Sequence, residues 1–337
     1  MDISATHEKP LLQACGLTRH FTFFRRGGLL PRRALLKAVD GVDFALKRGE
    51  ILGLVGESGC GKTTTGRMVA GLLKPTDGSI WFDSTELAEM TPRELKHLRS
   101  RVQMIFQDPI ASLNPRMKVG SILAEPLLVQ HRGSRAERRA RAAQILQEVG
   151  LPADSAQRYP HEFSGGQRQR IGVGRALVLE PDLIVADEPV SALDVSIQAQ
   201  VLNLLLELRE RYNLAILFIA HDLSVVRAVC DRVAIMYLGR IVEHGSTEQV
   251  LSHPLHPYTQ ALLSTVPVPD PEVVFAPPPL SDEITSPVDL PAGCRFAPRC
   301  RFAYEHCRKN EPKLADCPAE GGHSVACFIH QEGRHNG

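Results

Sequence analysis

The segment Gly56–Thr63 constrains the fold of this chain more than any other. It matches the pattern G-x-x-x-x-G-K-[ST], follows an apolar run at Ile51–Val55 and precedes a helix-like stretch at Thr64–Leu73. A strand, a glycine-rich turn and a helix in this order place backbone N–H groups and a helix N-terminus around phosphate oxygens. The sequence therefore predicts an α/β domain that binds a nucleotide.

The chemistry of this segment, here called the phosphate loop (56–63), follows from its last residues. Lys62 is expected to reach the β and γ phosphates, and Thr63 offers a hydroxyl to Mg²⁺. We interpret Cys60, inside the loop, as a small packing residue with no redox role. The residues predicted to surround the nucleotide are Gly56, Glu57, Ser58, Gly59, Cys60, Gly61, Lys62, Thr63 and Thr64.

A second element, Leu183–Glu188, is an apolar run that ends in two acidic residues. At the carboxyl end of a buried parallel strand, one acid can hold Mg²⁺ and the next can orient and deprotonate an attacking water. We assign Asp187 to the metal and Glu188 to the general base. Alone, this pattern also fits an ordinary strand end, but together with the phosphate loop it favours phosphoryl transfer.

Composition and charge argue against several classes of protein. The chain has 39 Lys+Arg against 38 Asp+Glu and a formal net charge of +1, so it has no general attraction to nucleic acid. Its longest apolar runs, such as Leu214–Ala220, are far shorter than the ~20 residues of a membrane span. Met1–Gln13 lacks a long apolar stretch, so we expect no secretory signal.

Apolar runs rich in β-formers alternate with helical patterns, which is typical of a parallel α/β sheet. These runs are Ile51–Val55, Leu183–Ala186, Ala215–Ala220 and Val233–Tyr237. The segment from Thr91 to Leu179 has few strand signals, and we predict a helical subdomain there, about 91–179, with one helix at Ala136–Val149.

Proline content marks the end of this domain. Val266–Gly293 contains eight prolines in 28 residues, which predicts an extended connector. We therefore expect a nucleotide-binding domain over 1–262 and a C-terminal extension over 263–337. A basic insertion at Phe21–Arg33 carries four arginines around two glycines, and fits either a solvated hairpin or a contact with headgroups or a partner.

The segment Phe163–Gln167 reads F-S-G-G-Q. It resembles the LSGGQ signature of the ATP-binding subunits of ABC transporters, with phenylalanine in place of the usual leucine. Gln107 resembles the Q-loop glutamine, Ser191–Asp194 the D-loop, and His221 the switch histidine of that family. These motifs occur in the family's order. They imply a P-loop ABC ATPase core, an α/β fold with a mixed sheet and flanking helices, an inserted helical subdomain and a small Pro/Cys-rich extension.

The resemblance implies a role for each motif. Gln107 and His221 would join Glu188 as catalytic residues, and Gln107 would also join Thr63 and Asp187 around Mg²⁺. The signature would bind ATP held by a second ATP-binding subunit through Ser164, Gly165, Gly166 and Gln167. Asp194 would link the two sites.

Two consequences of the resemblance concern nucleotide handling. Because each complete site would be shared between two subunits, we hypothesise that the isolated chain binds ATP but hydrolyses it poorly. The family usually stacks adenine on an aromatic residue upstream of the phosphate loop, but Arg32–Lys37 contains none, and we leave that residue unassigned.

Further segments resemble the peptide-importer branch of the family. They are Gln107–Pro109, Ala111–Arg116 and His253–Thr259, with the cysteine-rich C-terminal segment. The resemblance implies uptake of di- or oligopeptides driven by ATP hydrolysis, with nickel or glutathione as alternative solutes. It also implies a peripheral position on the cytoplasmic face of the cell (inner) membrane.

The resemblance also implies partners: a second, non-identical ATP-binding subunit, two membrane permease subunits and, indirectly, an extracytoplasmic solute-binding protein, with no nucleic acid. A competing hypothesis is a soluble ABC ATPase acting on DNA or ribosomes. Gly56 and Ser164 are only 108 residues apart, which leaves no room for the long coiled coils of such proteins. A third hypothesis treats the cysteine segment as a redox- or metal-regulated binding module.

Five of the eight cysteines lie near the C-terminus. In a chain of this size such clustering favours metal ligation over disulfides. Cys294, Cys300, Cys307 and Cys327 resemble the segment that holds a [4Fe–4S] cluster in some members of the branch. Cys317 competes with Cys327 as the fourth ligand, and zinc or free thiols are the alternatives to the cluster.

Overall fold

The computed structural model describes residues 9–25, 32–108, 112–265, 288, 290–317 and 321–331. Residues 1–8, most of the proline-rich connector and the centre of the basic insertion lie outside these ranges, as do Pro109 and Ala111 of the branch motifs. The predictions made for those residues therefore stay predictions.

Strands and helices alternate along most of the described chain. The strands are β1 (Leu12–Arg25), β2 (Arg32–Leu46), β3 (Ile51–Val55), β4 (Asp77–Phe82), β5 (Thr85–Glu86), β6 (Val102–Ile105), β7 (Leu183–Asp187), β8 (Ala215–Ala220), β9 (Arg232–Tyr237), β10 (Arg240–Ser246), β11 (Ala315–Asp316) and β12 (Ser324–Val325). The α-helices are α1 (Lys62–Val69), α2 (Pro92–Arg101), α3 (Val119–Val129), α4 (Arg135–Glu148), α5 (Gly165–Leu177), α6 (Val195–Tyr212), α7 (Leu223–Val229), α8 (Thr247–Ser252), α9 (Pro257–Ser264), α10 (Glu305–Lys309) and α11 (Phe328–Gln331).

The main sheet has the strand order β11-β12-β10-β9-β3-β8-β7-β6. Its strands from β9 to β6 are parallel, whereas β10, β12 and β11 are antiparallel additions at one side. Alternate residues of β7 enter two different hydrophobic cores: Leu183 and Val185 lie in one, Ile184 and Ala186 in the other. A strand buried on both faces is apolar throughout, which is why β3, β7 and β8 were recognisable in the sequence.

Parallel pairing brings the carboxyl ends of four strands to one edge of this sheet. Val55 of β3 pairs with Ala220 of β8, and Ile219 of β8 pairs with Asp187 of β7. Ile105 of β6 pairs with Ala186 in turn. Because ligands bind at this edge in open α/β sheets, the segments that follow these strands define the candidate site.

A second, antiparallel sheet has the order β2-β1-β4-β5. Its largest part is the long hairpin of β1 and β2, paired from Leu12–Leu46 to Arg25–Arg32. Leu12 and Leu17 of this hairpin share a core with Met68 of α1, so the sheet covers one side of the phosphate loop's helix. The sequence analysis did not predict this sheet.

Helices α3, α4 and α5 lie between β6 and β7 and share a core that includes Ile122, Ile145 and Ile171. The helix predicted at Ala136–Val149 is α4, which begins at a capping box formed by Ser134 and Glu137. The edge strand β6 lies within the segment for which we predicted mostly helix.

The C-terminal residues 290–317 and 321–331 pack on the main sheet by extending it. Val325 and Ser324 of β12 pair with Glu243 and His244 of β10. His323 and Glu243 are both fully buried, with His323 Nε2 2.8 Å from Glu243 Oε1. Across the described ranges, no helix is long and apolar enough to cross a bilayer.

Candidate functional site

The phosphate loop joins β3 to α1 as the sequence predicts. Lys62, which is 4% exposed, donates from Nζ to the carbonyl oxygens of Gly56 (2.6 Å) and Glu57 (3.0 Å). Gly61 precedes α1 with φ +111°, and a Cβ at this position would lie 2.1 Å from the Ala38 carbonyl oxygen. The loop is therefore closed around the Lys62 ammonium, at a place where only glycine fits.

A hydroxyl and a carboxylate meet beside the loop. Thr63 donates from Oγ1 to Asp187 Oδ1 at 2.9 Å. Asp187 is 4% exposed, and this burial raises the pKa of its carboxyl group despite the hydrogen bond from Thr63. Oxygen ligands of these two kinds suit Mg²⁺, which keeps several waters and takes few protein ligands beside a phosphate.

Residues from three separate strand ends meet at one carboxylate oxygen, Oε2 of Glu188. Gln107, after β6, donates from Nε2 to Glu188 Oε2 at 2.8 Å. His221, after β8, has Nδ1 3.4 Å from the same oxygen. The three residues predicted to be catalytic thus form one cluster at the sheet edge, next to Asp187.

The backbone of Glu188 is itself held in an uncommon conformation. Its φ is +47°, in the left-handed region that non-glycine residues rarely occupy. Its N–H donates to the Ile219 carbonyl oxygen at 2.9 Å, which ties the turn to β8. A strained backbone conformation of this kind persists only where the surrounding structure holds it. Here it orients the Glu188 side chain toward Gln107 and His221.

The signature segment caps the start of α5. Ser164 Oγ accepts from the Gln167 N–H (3.4 Å), and the Ser164 N–H donates to Gln167 Oε1 (3.0 Å). Gly166 passes so close to α6 that a Cβ would lie 2.3 Å from Ile197. Ser164 and Gly165 are exposed, so their polar groups face outward at a helix N-terminus.

The predicted D-loop lies beside the signature. A Cβ on Gly165 would lie 3.6 Å from the Leu193 side chain. Asp194 is exposed at the N-cap of α6, and the next residue, Val195, is 82% exposed.

The cysteines of the C-terminal segment fall into two groups. Burial, with smaller contributions from nearby Cys294, Cys300 and Cys307, raises the pKa of the Cys327 thiol to about 12. Cys317 lies apart on the strand side, where its N–H donates to the His323 carbonyl oxygen at 2.7 Å. Four thiols thus lie near one another, and they are the four that the sequence favours.

These thiols are not arranged as a metal site. Within the ranges that the structure describes, no group of three or more His, Cys, Asp or Glu side chains is placed to hold a metal ion. The predicted [4Fe–4S] cluster has no support from this geometry, and it stays a prediction.

The sequence analysis gave two residues no role at the phosphate loop, although both contact it. Arg299 pairs with the Glu57 carboxylate, and Tyr258 accepts a hydrogen bond from the Glu57 N–H. They lie 242 and 201 positions after Glu57, and no local pattern in the sequence signals such contacts.

Two family models match the chain. The model described as ABC transporter matches residues 39–191, and the model described as oligopeptide/dipeptide transporter, C-terminal region, matches residues 242–307. The first spans the phosphate loop, the signature and Glu188. The second covers the strand β10 and the segment up to Cys307.

Curated relatives resemble the chain over nearly its whole length. The dipeptide transport ATP-binding protein DppF of Escherichia coli K12 is 48% identical over 324 residues, covering 96% of each chain. The oligopeptide transport ATP-binding protein OppF of the same organism is 54% identical over 301 residues, covering 87% of this chain and 88% of its own.

A solved structure is similar to the core of the chain. It is a dimeric ATP-binding cassette in a post-hydrolysis state bound to ADP and phosphate, with a TM-score of 0.61 and 28% identity. It covers 70% of this chain and 98% of its own, so its cassette corresponds to most of the core described above.

Proposed function

The chain belongs to the ABC transporter family, and from this premise we propose how its residues serve an ATPase that drives peptide import. Relatives named for dipeptide and oligopeptide transport are about half identical to it over most of its length. It is accordingly the ATP-hydrolysing subunit of a di- or oligopeptide importer. The observation that carries the mechanism is the convergence of Gln107, Glu188 and His221 beside the phosphate loop.

In this proposal, the phosphate loop and β7 bind the triphosphate. ATP would take the place of the loop carbonyls as the partner of the Lys62 ammonium, and backbone N–H groups of the loop would donate to the phosphate oxygens. Thr63 and Asp187 would hold Mg²⁺ with Gln107, and the ion supplies charge neutralisation at the β and γ phosphates.

Glu188 is proposed to orient and deprotonate the attacking water. Its carboxylate faces the amide of Gln107 and the imidazole of His221, so both can fix its position and contact the water or the γ-phosphate. Most of the catalytic effect in phosphoryl transfer comes from positioning and charge stabilisation, which three converging groups provide.

We propose that each complete site includes the signature of a second ATP-binding subunit. Ser164, Gly165 and Asp194 are exposed beside Val195, as the contact surface of a shared site requires. The structurally similar cassette is described as dimeric. The proposal takes the partner to be a non-identical relative, because this chain resembles one of two such subunits.

A groove between the sheet and the helical subdomain suits the proposed membrane subunits. It has a volume of about 430 Å³ and is lined by exposed Phe106 and Leu72 and by Val129 and Arg175. Phe106 immediately precedes Gln107, so a helix seated there would sense closure of the catalytic cluster. In this proposal the chain lies peripherally on the cytoplasmic face of the membrane, and the solute-binding protein acts indirectly.

Reconstitution tests the transport function. Co-expression with the two membrane subunits and the second ATPase, followed by assembly in liposomes, is expected to give ATPase activity that rises with di- or oligopeptide and its binding protein. Nickel or glutathione in place of peptide is the comparison. ATPase activity that does not change with any of these solutes would contradict the proposal. Failure of the chain to co-purify with the membrane subunits would also contradict it.

We further propose that Cys294, Cys300, Cys307 and Cys327 bind a [4Fe–4S] cluster. The donor set carries this proposal, since four cysteine thiolates are the usual ligands of such a cluster. Holding the cluster would require the thiols to lose their protons and approach one another more closely than in the described structure.

The cysteine proposal predicts a difference between two variants. Anaerobically purified wild-type protein should show the visible absorption of an iron–sulfur cluster and should contain iron and sulfide. Cys327→Ala should lose both, whereas Cys317→Ala should keep them, because Cys317 lies apart from the other thiols. Zinc in place of iron, or colourless and metal-free wild type, would contradict the cluster.

A further inference from the structure

We propose that Arg299 and Tyr258 are positioning residues that hold the phosphate loop in its ATP-binding shape from the C-terminal part of the chain. The inference rests on the proposed function, since it concerns the same nucleotide site. It assigns a role in ATP affinity to the C-terminal segment whether or not that segment holds a metal.

The first contact is a two-pronged ion pair. Arg299 Nη1 donates to Glu57 Oε2 at 2.9 Å and Arg299 Nη2 donates to Glu57 Oε1 at 3.0 Å. The Arg299 side chain is only 10% exposed, and its guanidinium lies over the rings of Tyr237 and Phe296. Paired hydrogen bonds of this kind fix both distance and orientation, and partial burial protects them from screening by salt.

The second contact fixes the backbone of the same residue. The Glu57 N–H donates to the Tyr258 hydroxyl at 2.9 Å. Tyr258 is fully buried against Tyr237 and Phe296, with ring centroids 4.6 and 5.5 Å away. An aromatic ring packed in this way has little freedom, so the hydroxyl is a fixed acceptor.

These contacts act on the part of the loop that holds Lys62. The Glu57 carbonyl oxygen accepts from Lys62 Nζ, so the N–H, the carbonyl and the carboxylate of Glu57 all have partners. A loop held in place before ATP arrives loses less conformational freedom on binding, which raises affinity.

A nearby arginine braces the other end of the loop. Arg295 pairs with Asp40 and donates to the Leu238 carbonyl oxygen. The neighbouring Gly239 N–H donates to the Cys60 carbonyl oxygen at 2.9 Å. The short stretch from Arg295 to Arg299 thus contacts both the first half of the loop and the turn that supports its second half.

The test compares Arg299 with Arg301, two positions further along, in the full-length chain. Arg299→Gln is expected to weaken ATP binding ~10-fold, as the loss of a charged hydrogen-bond pair predicts. Arg301→Gln is the matched control, because Arg301 is exposed and lies over the Phe302 ring away from the loop, and its ATP affinity should equal that of wild type. Displacement of a fluorescent ATP analogue measures affinity, and thermal unfolding of the nucleotide-free variants reports folding.

A double-mutant cycle separates positioning from general stability. If Arg299 acts through Glu57, then Glu57→Ala, Arg299→Gln and the double variant should all weaken ATP binding ~10-fold, not ~100-fold for the double. Tyr258→Phe keeps the packed ring and removes only the acceptor, so it should weaken ATP binding ~3-fold. It still tests the idea if Arg299→Gln fails to fold.

Two results would overturn the inference: Arg299→Gln or Tyr258→Phe binding ATP as tightly as wild type, or multiplicative losses for Glu57→Ala and Arg299→Gln. Wild type that binds no ATP at all would instead refute the proposed function, which keeps the two failures distinct.

Discussion

Glu188→Gln is expected to abolish ATP turnover by the assembled transporter while leaving ATP bound. The amide has nearly the shape of the carboxylate and can still accept from Gln107, so the cluster keeps its geometry. It cannot accept a proton from the attacking water, and loss of a general base typically costs ~100- to 10,000-fold in rate. Phosphate release in liposomes measures ATP turnover, and the nucleotide that stays with the protein after gel filtration measures ATP binding.

The matched control for this variant is Glu210→Gln. Glu210 lies on α6 with a side chain that is 75% exposed, and its exposed pair with Arg209 is expected to contribute little. The Glu210→Gln variant should hydrolyse ATP at the wild-type rate. Undiminished turnover by Glu188→Gln would remove Glu188 from the role of base and leave the water to another group.

Gly61→Ala should prevent ATP binding almost completely. A φ of +111° is unfavourable for alanine, and the left-handed half of backbone space costs about 1–2 kcal/mol for residues with a Cβ. The new methyl would also lie 2.1 Å from the Ala38 carbonyl oxygen, so β2 or the loop must move. Together these effects predict a loss of ATP affinity of ~100-fold or more.

Alanine variants at two other glycines separate the effect of the steric clash with Ala38 from the effect of backbone strain. Gly59 has φ +80° but nothing within 4 Å of its Cβ position, so Gly59→Ala carries strain alone and should lose only ~10-fold in affinity. Gly172 lies within α5 and is equally free of close neighbours, so Gly172→Ala should bind ATP normally. Equal affinities for the alanine variants at 59 and 61 would show that the approach of Ala38 does not matter.

The strands that carry the site were predictable because their chemistry is local. Ile51–Val55 and Ala215–Ala220 have the bounds read from the sequence, since strands buried on both faces are apolar at every position. The phosphate loop and the two acids at the end of β7 were found for the same reason. The roles of Gln107 and His221 were expected only from the family resemblance, because the strand β6 before Gln107 was not predicted. Parallel pairing explains why Gln107, Glu188 and His221 meet although they are far apart in sequence.

Other parts of the fold depend on contacts that no local pattern records. The antiparallel sheet pairs Leu12 with Phe82, and its register is set by tertiary packing rather than by a turn signal. The strands β11 and β12 are two residues long, too short for any alternation of apolar and polar residues to appear. Arg299 reads as one arginine among many until its contact with Glu57 is seen.

The contacts of Arg299 and Tyr258 with Glu57 have a consequence for biosynthesis. Translation proceeds from the N-terminus, so the phosphate loop leaves the ribosome well before Arg299, 242 positions later, is made. During that interval the nascent polypeptide has its glycine-rich turn without the side chains that steady it. Truncated chains that end before Arg299 would therefore bind nucleotide weakly. They would compete poorly with full-length subunits for assembly into the transporter, so the late position of Arg299 favours incorporation of complete chains.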